Sequence, residues 1–460
     1  MEPLRFGTSG IRGVVGEVLT EDGCTRAGRA LGTLLGQGAR VCLARDTRVS
    51  GPEVAGWVAA GLVRSGAEVV DFGIAPTPAV GAITKNGGFA AGVMLTASHN
   101  PPEYNGIKVF DAEGIGLSRE RELRVEQLIE CGHFATGAGS IRQDDTALER
   151  YLETVPPEVA RAAAGSGLKL LVDPGNGAAS GFARKVFEHL GLRPTAVNDE
   201  PDGLFPGRGS EPSAAALHGT VAALRASDAD LAACFDGDAD RVVFCDREGF
   251  IGLDESVAFV AYMKAFSRPR RSLATTVETG LLPHYALKDI GGCVIRGKVG
   301  DVAVAHLTRE SQAVLGAETV GVYIFPETGL YPDSLMAVLH VLGMLPDPAG
   351  IRRFVASLPV LHLLKRKVPC PTALKSVVMQ RAGAVLQQSL DVPAETTANL
   401  TDGVRLESPD AWVLVRPSGT EPVVRVTAES PDPARADRLA LGAEAIVTRL
   451  VAKAARGGGR

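Results

Sequence analysis

The chain has 460 residues, of which 45% are hydrophobic, 22% are charged and 54 are glycine, and its formal net charge is −5. This length predicts three or four domains, and the charge argues against the overall basic surface of a nucleic-acid-binding protein. The chain has no long apolar run, no signal-peptide pattern and no CxxC pair among its seven cysteines, so we expect a cytoplasmic protein with no membrane partner.

A strand–turn–helix–strand pattern occurs three times before residue 300. The copies lie at 41–46, 53–64 and 68–72, then at 168–173, 180–190 and the stretch after Gly191, then at 273–277, 281–288 and 293–296. This is the βαβ unit, which forms a largely parallel sheet covered by helices on both faces. The repeat predicts three related α/β/α domains with mixed or parallel sheets. One large doubly wound sheet with a repeated local pattern is the alternative.

The last hundred residues follow a different pattern. A helical stretch at 372–388 precedes two alternating strands, 411–415 and 423–426, and a long alanine-rich helix at 434–452. Strands followed by a helix indicate a smaller, separate α+β domain. The four predicted domains are residues 1–150, 151–250, 251–365 and 366–460.

The first segment with chemical potential is a serine loop at residues 95–102. An apolar run at 90–95 leads into Ser98, and two prolines prevent the loop from continuing as helix or strand. A serine hydroxyl is a poor nucleophile unless a base, a metal or a stored phosphoryl group assists it. Taken alone, the segment is equally compatible with an ordinary turn that ends at Asn-Pro.

The second segment is an acidic loop that follows the apolar stretch 231–235. Asp236, Asp238 and Asp240 alternate with small residues, so their carboxylates are able to converge on one hard cation. An EF-hand is excluded because Arg241 and Arg247 occupy the positions of its glycine and its glutamate. A solvated acidic turn is the alternative, although three adjacent acids repel one another without a cation.

The third segment is the Arg-Pro-Ser-Gly-Thr-Glu-Pro run at 416–422, with Arg425 close behind. Backbone amides near a glycine, two hydroxyls and two guanidiniums form a suitable anion cradle. The run is not a P-loop, because the spacing and the lysine of that motif are missing. An ordinary hairpin turn with solvated arginines is the alternative. With the serine and acidic loops in other domains, the set indicates phosphoryl transfer across a central cleft.

These motifs and their order resemble those of the α-D-phosphohexomutases, which include phosphoglucomutase, phosphomannomutase and phosphoglucosamine mutase. The matching segments are residues 6–13, 45–51, 96–101, 104–108, 173–177, 235–241 and 416–422. Several motifs in family order are far more specific than any one of them. The resemblance implies four domains around a central cleft, the first three related to one another and the fourth distinct.

The resemblance also implies roles for individual residues. Ser98 is expected to be phosphorylated in the active enzyme, and one Mg²⁺ per chain is expected to bind a phosphoserine oxygen together with the three acids, Asp236, Asp238 and Asp240. The residues expected to line the reaction centre are Arg12, His99, Lys108 and Arg241. The residues expected to bind the substrate are Lys298, Glu318, Gly321, Arg416, Ser418, Gly419, Thr420 and Arg425.

The implied reaction interconverts a sugar 1-phosphate and a sugar 6-phosphate, or a 5-phosphate for a pentose. Phosphoserine gives its phosphoryl group to the sugar monophosphate, and the resulting bisphosphate turns over and returns its other phosphate to Ser98. A sugar 1,6-bisphosphate is the expected activator, a small sugar phosphate the expected partner, and a monomer or homodimer the expected assembly. The general acid and base stay open among His99, Lys108 and Lys298.

The sequence departs from the family pattern in the predicted third domain. The sugar-selecting loop of the family reads Gly-Glu-x-Ser-Gly-His, whereas this chain has valines at 320 and 322 in place of the serine and the histidine. Residues 332–334 and the stretch 297–302 depart as well. Losing hydrogen bonds to sugar hydroxyls changes discrimination strongly. An unusual or broadened sugar preference is therefore expected, and a pentose phosphate is one candidate.

Two further hypotheses belong to other functional classes. A catalytically silent sugar-phosphate-binding or regulatory paralogue accounts for the altered loop, but it leaves the retention of Ser98 and the three acids unexplained. A phosphatase-like side activity would follow if water reached phosphorylated Ser98. The state of Ser98 separates these hypotheses from a mutase.

Overall fold

The structure is a computed structural model that describes residues 4–457 except Thr8, Ser267, residues 391–394 and Thr420. In this part of the chain the strands form four separate sheets of six, five, four and five strands. The predicted three related α/β/α domains and the smaller α+β domain are confirmed, and the alternative of one large sheet is wrong. None of the described helices combines the length and the apolar character that crossing a membrane requires.

The first unit is built on the six-stranded sheet. Its elements are β1 (Ile11–Val14), α1 (Glu21–Leu35), β2 (Arg40–Arg45), α2 (Gly51–Arg64), β3 (Glu68–Ile74), α3 (Thr77–Asn86), β4 (Ala91–Leu95), β5 (Tyr104–Asp111), α4 (Arg119–Cys131) and β6 (Ser140–Gln143). Helix α1 begins after Thr20, whose hydroxyl accepts a hydrogen bond from the Gly23 N–H at 3.2 Å, as a helix N-cap does.

The second unit is built on a five-stranded sheet. Two helices, α5 (Ala147–Leu152) and α6 (Pro157–Gly165), connect it to the first unit. Its own elements are β7 (Leu170–Asp173), α7 (Phe182–His189), β8 (Thr195–Ala196), α8 (His218–Ala226), β9 (Leu231–Phe235), β10 (Val242–Asp246) and β11 (Gly249–Phe250). Strands β7, β9 and β10 are buried along their whole length, which matches their continuous apolar sequence.

The third unit is built on a four-stranded sheet. Its elements are α9 (Leu253–Phe266), β12 (Ser272–Thr276), α10 (Leu282–Lys288), β13 (Cys293–Gly297), α11 (Asp301–Ser311), β14 (Leu315–Glu318), β15 (Val322–Ile324), α12 (Ser334–Met344) and α13 (Gly350–Ala356). Helix α12 is buried over most of its length, and Asp333 caps its start by accepting from the Met336 N–H at 2.9 Å.

The fourth unit is a five-stranded antiparallel sheet covered by two helices. Its elements are β16 (His362–Pro369), α14 (Thr372–Ser389), β17 (Thr397–Asn399), β18 (Val404–Ser408), β19 (Ala411–Pro417), β20 (Val423–Ser430) and α15 (Pro433–Gly457). The sequence pattern predicts only two of these strands, β19 and β20. The edge strands β16 and β17 are mostly exposed and lack the clean apolar alternation of the inner ones, so their pattern gives little strand signal.

The first three units share one strand order. Each contains a set of three parallel strands whose central strand is the first of the three in sequence: β2, β7 and β12. In the first unit β6 adds a fourth parallel strand beside β3, and β1 pairs with β5 at the opposite edge. The third parallel strand of each unit then turns back in an antiparallel hairpin: β4–β5, β9–β10 and β14–β15. The serine loop, the acidic loop and the predicted sugar-selecting loop therefore occupy the same position in three copies of one topology.

Hydrophobic packing joins the first three units to one another. One buried apolar cluster includes Phe72 of the first unit, Phe187 and Phe235 of the second, and Leu273 and Tyr323 of the third. The fourth unit has its own apolar core between its sheet and helices α14 and α15. The three repeated hairpins are thus fixed in a continuous core.

Candidate active site

The serine loop connects β4 to β5 and holds Ser98 in an unusual backbone conformation. Ser98 has φ +52°, a left-handed value that is uncommon for a residue with a side chain. Its N–H donates to the Thr96 hydroxyl at 2.8 Å, and its side chain is fully buried. Strained backbone is concentrated at functional sites, so this conformation supports a functional role for the Ser98 hydroxyl.

A buried arginine, Arg48, supports the serine loop from behind. Its guanidinium donates to the carbonyl oxygens of Ser98 at 2.8 Å and Asn100 at 2.7 Å, while its Nε donates to Asp46 at 2.9 Å. Asp46 also accepts from the Thr96 hydroxyl at 2.6 Å. Residues 45–51 belong to the family segments, but the sequence predicts no role for Arg48; only the fold brings it to the serine loop.

The acidic loop connects β9 to β10 and lies against the serine loop. Gly237 makes this approach possible, because a Cβ there would lie 2.4 Å from the carbonyl oxygen of Ser98. Ala239 at φ +56° turns the loop so that its acids converge. Asp236, Asp238 and Asp240 are all buried, and one carboxylate oxygen of each lies within 4.8 Å of the others.

Direct contacts join the serine, the acids and a lysine. The Ser98 hydroxyl donates to Asp236 Oδ2 at 2.6 Å. Lys108, on β5, donates to Asp238 Oδ2 and to Asp240 Oδ2, each at 2.6 Å. These partners are more than a hundred residues apart in sequence, so the reaction centre exists only once the first two units pack together.

Two residues from other elements anchor the acidic loop. Thr77, at the start of α3, donates through its hydroxyl to Asp238 Oδ2 at 2.6 Å and through its N–H to the Asp238 carbonyl at 2.8 Å. Ser334, at the start of α12, donates to the Ala239 carbonyl at 2.6 Å. Residues 332–334 depart from the family pattern in the unit predicted to select the sugar. In the structure, Ser334 contacts the acidic loop, and Asp333 caps α12 and accepts from the Tyr151 hydroxyl at 2.8 Å.

The charges of the centre shift the pKa values of its groups in opposite directions. Burial raises the pKa of Asp236, and the nearby Asp240 and Asp238 carboxylates raise it further. Burial also opposes ionisation of Asp238, but the Lys108 ammonium, the Thr77 hydroxyl and the Arg12 guanidinium together lower the pKa of that carboxyl. The same pairing raises the pKa of Lys108 against the effect of burial. Lys108 is therefore a fixed cation at neutral pH.

The acidic loop fits a divalent cation. Besides the oxygens already described, Asp238 Oδ1 and Asp240 Oδ1 are buried and have no hydrogen-bond partner among the described residues. Unpaired buried carboxylate oxygens are costly unless a cation or water satisfies them. Three carboxylates with a serine oxygen beside them form an all-oxygen donor set, which hard cations such as Mg²⁺ prefer.

Three further predicted residues lie beside the serine loop or the acidic loop. His99 Nδ1 lies 3.3 Å from Ser98 Oγ, and burial together with the Arg241 and Arg12 guanidiniums lowers the pKa of His99 to about 4. Arg12 donates to the Asn100 side chain at 3.1 Å. Arg241 Nε lies 3.7 Å from Asp240 Oδ1, outside hydrogen-bonding geometry. The Nε atoms of both arginines are buried and unpartnered within the described chain, so they are available to an anion.

The β14–β15 hairpin contains the predicted sugar-selecting loop. Glu318 is buried, accepts from the Gly300 N–H at 2.9 Å, and has its pKa raised to about 7 by burial and by the Asp301 carboxylate. Gly321 has φ +92°, and a Cβ there would lie 2.7 Å from the Val242 carbonyl oxygen. Gly321 therefore lets the sugar-selecting hairpin pack against the acidic hairpin.

The two valines of this hairpin have different environments. Val320 is 41% exposed at the hairpin tip. Val322 is 2% exposed and packs in an apolar cluster with Ile115, Val304 and Ile324. Of the two departures from the family pattern, only the one at Val320 changes a solvent-accessible side chain.

The predicted phosphate cradle lies in the β19–β20 hairpin of the fourth unit. Ser418 is buried, and its hydroxyl accepts from the Glu421 N–H at 3.1 Å, while Gly419 is exposed. Lys375, on α14, donates to the carbonyls of Ser418 and Glu421, each at 2.6 Å, and so fixes both ends of the loop. The predicted site residue Thr420 lies outside the described residues.

The cationic side chains of the cradle are paired with acids. Arg416 Nη1 donates to Glu278 of the third unit at 3.0 Å, and Arg425 donates to Glu421 at 2.9 Å. Lys298, also predicted to bind substrate, is exposed at the turn between β13 and α11. Among the described residues, the hydrogen bonds that leave the fourth unit all go to the third, so the structure does not bring the cradle into contact with Ser98.

Comparison with known protein families covers most of the chain. Residues 3–136, 149–249 and 254–351 match the models of phosphoglucomutase/phosphomannomutase alpha/beta/alpha domains I, II and III. Residues 367–444 match the C-terminal domain of the same proteins. The four matches follow one another in the order of the four units.

Individual relatives agree with this assignment. A probable phosphoglucosamine mutase of Methanopyrus kandleri is 40% identical over 439 residues, which cover 94% of this chain and 95% of that protein. A probable phosphoglucosamine mutase of Pyrococcus abyssi is 37% identical, covering 98% and 99% of the two chains. The crystal structure of a phosphoglucomutase/phosphomannomutase family protein from Burkholderia thailandensis is 28% identical, has a TM-score of 0.82 and covers 97% of each chain.

The fold, the three repeated hairpins, the Ser98–acid contacts and these full-length matches agree with one another. Nothing in the comparisons favours a catalytically silent paralogue. The chain therefore belongs to the phosphoglucomutase/phosphomannomutase family and is a phosphosugar mutase of the α-D-phosphohexomutase type.

Proposed function

We propose that this mutase interconverts the 1-phosphate and the 6-phosphate of an amino hexose through a phosphoryl group carried on Ser98. The observation that carries the Ser98 assignment is the hydrogen bond from its hydroxyl to Asp236 at 2.6 Å, beside three buried, converging acids. Mg²⁺ is the proposed metal, held by Asp236, Asp238, Asp240 and an oxygen of phosphorylated Ser98.

The residues of the chain position and neutralise the transferring group. The Ser98 oxygen–phosphorus bond breaks as a sugar hydroxyl oxygen forms its own bond to phosphorus, and the reverse transfer later restores phosphoserine. Arg12 and Arg241 offer unpartnered N–H groups for the charge that develops on the phosphoryl oxygens. Bound Mg²⁺ supplies additional charge neutralisation there.

A proton must leave the attacking sugar hydroxyl, and His99 is the best-supported acceptor of the three candidates. Its pKa of about 4 keeps the imidazole neutral at pH 7, and its Nδ1 lies 3.3 Å from Ser98 Oγ. Lys108 is a poor base because its paired carboxylates raise its pKa. The exposed Lys298 is a poorer candidate by position, since it lies on the third unit without a described contact to Ser98.

The amino-hexose assignment rests on two supports. Three relatives that match nearly the whole chain at 36–40% identity are probable phosphoglucosamine mutases. The region around the predicted sugar-selecting hairpin also contains acids: Glu318 is buried, and Asp301 Oδ1 is buried without a partner in the described chain. A carboxylate oxygen pairs with an ammonium more strongly than with a hydroxyl.

A pentose phosphate is the second candidate. The exposed Val320 at the hairpin tip favours it, because valine offers no hydrogen bond to the outer hydroxyls of a hexose. If Val320 only removes one contact that discriminates between sugars, the enzyme is expected to accept both hexose and pentose phosphates.

The deciding experiment is a panel of sugar 1-phosphates assayed with Mg²⁺ and a trace of a sugar 1,6-bisphosphate, the proposed activator. We expect the highest kcat/KM with glucosamine 1-phosphate among the glucosamine, glucose, mannose and ribose compounds. A clear preference for ribose 1-phosphate would replace the amino-hexose assignment by the pentose one. Net release of inorganic phosphate at the turnover rate would instead indicate phosphatase chemistry.

A second measurement tests the covalent step by itself. Intact-mass spectrometry is expected to detect one added phosphate on Ser98 that exchanges with a sugar phosphate. Absence of phosphate that no sugar bisphosphate installs would overturn the phosphoserine mechanism. We further propose that the enzyme is cytoplasmic. We also propose that it acts as a monomer or homodimer, and sedimentation velocity measures this assembly state directly.

A further inference from the structure

The guanidinium of Arg416 lies between two carboxylates at the junction of the third and fourth units. Its Nη1 donates to Glu278 Oε1 at 3.0 Å. Its Nε lies 3.1 Å from Asp402 Oδ2, but the N–H is not aimed at that oxygen and has no other acceptor in the described chain. The charge of the arginine predicted to bind the substrate phosphate is therefore balanced by two acids, and its buried Nε–H makes no hydrogen bond within the described chain.

The position of Glu278 is fixed by a buried arginine of the fourth unit. Arg405 is 1% exposed, stacks on the Trp412 ring at 3.8 Å, and donates to the carbonyls of Val277 at 2.7 Å and Thr279 at 3.0 Å. These carbonyls belong to the two residues that flank Glu278. The backbone is thus fixed on both sides of Glu278, and its side chain reaches Arg416 from a fixed starting point.

The second carboxylate, Asp402, has an additional partner. Asp402 Oδ2 accepts from the Val299 N–H at 3.1 Å, next to the predicted substrate-binding residue Lys298. Its neighbour Gly403 has φ +97° and packs so closely on β19 that a Cβ there would lie 2.6 Å from the Val415 carbonyl. Asp402 therefore joins Arg416 to the backbone of the third unit.

The two acids differ in how easily an incoming anion replaces them. The Glu278 side chain is 40% exposed, and an exposed single ion pair contributes little stability. Asp402 is 24% exposed and keeps its hydrogen bond to the Val299 N–H whatever Arg416 binds. A phosphate dianion forms stronger, bidentate bonds with a guanidinium than a single exposed carboxylate does.

We propose that Glu278 is a built-in counter-anion that the substrate phosphate displaces from Arg416, and that Asp402 is the positioning residue that keeps Arg416 in place during the exchange. This proposal rests on the proposed function, because it takes Arg416 as the ligand of the non-transferring phosphate. It makes Glu278 a determinant of substrate affinity without contact to the substrate. Removing its charge should therefore tighten phosphate binding.

The test compares Glu278→Gln, Arg416→Ala and the double variant with the unchanged enzyme. Inorganic phosphate affinity is measured by calorimetry, and kcat and KM are measured with the best sugar phosphate, at low and at physiological salt. We expect Glu278→Gln to lower the phosphate Kd and the KM by about 2- to 5-fold at low salt, less at high salt, with kcat within about 2-fold. In the Arg416→Ala background the same substitution should have no effect.

Glu188→Gln is a matched control, because Glu188 is 46% exposed and pairs with Arg184 at 3.2 Å on the outer helix α7. It should leave the phosphate Kd and the KM unchanged. Asp402→Asn should raise KM by about 3- to 10-fold and change kcat less, since it releases Arg416 without touching Ser98. That split between KM and kcat distinguishes positioning from a loss of folded protein.

The proposal is overturned if Glu278→Gln weakens phosphate binding, leaves it unchanged, or has the same effect with and without Arg416. Failure of the proposed function has a different signature. The unchanged enzyme would then turn over none of the sugar phosphates, while the coupling between Glu278 and Arg416 would still be readable from the calorimetric phosphate Kd.

Discussion

The reaction centre and the phosphate cradle are built from similar chemistry but in opposite ways. At the reaction centre, Ser98, Lys108 and the three acids are buried and contact one another across two units. In the cradle, Arg416 and Arg425 are partly exposed and paired with replaceable acids. The groups proposed to make and break bonds are thus held at fixed positions by mutual contacts, whereas the cations proposed to bind the ligand phosphate are paired with exposed acids that a phosphate is able to replace.

The strongest test of this comparison removes the nucleophile. Ser98→Ala should lower kcat by at least about 10³-fold, because no other described hydroxyl contacts Asp236. KM or the phosphate Kd should change little, since the cradle is unaffected. Ser256→Ala is the control: this serine is also buried, but its hydroxyl bonds to the Gly252 carbonyl in the third unit. Full activity of Ser98→Ala would refute the assignment.

The corresponding change in the cradle is Arg416→Ala. It should lower kcat/KM by about 10- to 100-fold, mainly through KM, because the loss removes a charge-assisted contact to a group that does not react. Arg184→Ala, on α7, is the matched arginine control. A fall in kcat as large as that of Ser98→Ala would show that the two regions do not divide the work as proposed.

A third prediction concerns the link between the third unit and the acidic loop. Burial raises the pKa of Asp333 from 3.8 to about 6. Between these two pH values the folded protein therefore keeps a proton on Asp333 that the unfolded chain has released. This contribution to stability is present below about pH 4 and is lost as the pH rises through 6. Asp333→Asn keeps an acceptor for the Met336 N–H and the Tyr151 hydroxyl and does not titrate.

The stability of Asp333→Asn relative to the unchanged protein should therefore increase between pH 4 and pH 8, by an amount of the order of 1–3 kcal/mol. Thermal unfolding at both pH values, with Mg²⁺ present throughout, measures the difference. If the stability difference between the variant and the unchanged protein is the same at pH 4 and pH 8, the Asp333 carboxyl at the start of α12 does not titrate as a buried group.

The smallest expected effect is at the sugar-selecting hairpin. Val320→Ser should change the ratio of kcat/KM between two sugars by up to about 10-fold, because it adds one exposed hydrogen-bonding group. Val322→Ser should leave the ratio unchanged and lower the thermal midpoint, since it places a hydroxyl in an apolar cluster. Equal shifts of the ratio by both variants would mean that Val322 contacts the sugar.

Much of the architecture follows from the sequence because its signals are local. The three βαβ copies, the acids alternating with small residues and the Ser-Gly turn of the cradle each lie within a short segment. Their spacing predicts elements and loop chemistry directly. The resemblance to the phosphohexomutases then adds the order of the loops and the role of Ser98, and the family matches confirm that order.

Only the tertiary structure decides which residues meet. Arg48 behind the serine loop, Ser334 on the acidic loop and Glu278 on Arg416 have no sequence signal, because each contact joins segments whose separation in the chain carries no periodicity. The same holds for Val322, which the motif places in a sugar-binding loop and the fold places in an apolar cluster. Local spacing determines what a loop contains, whereas long-range packing determines which side chains face the substrate and which are buried behind it.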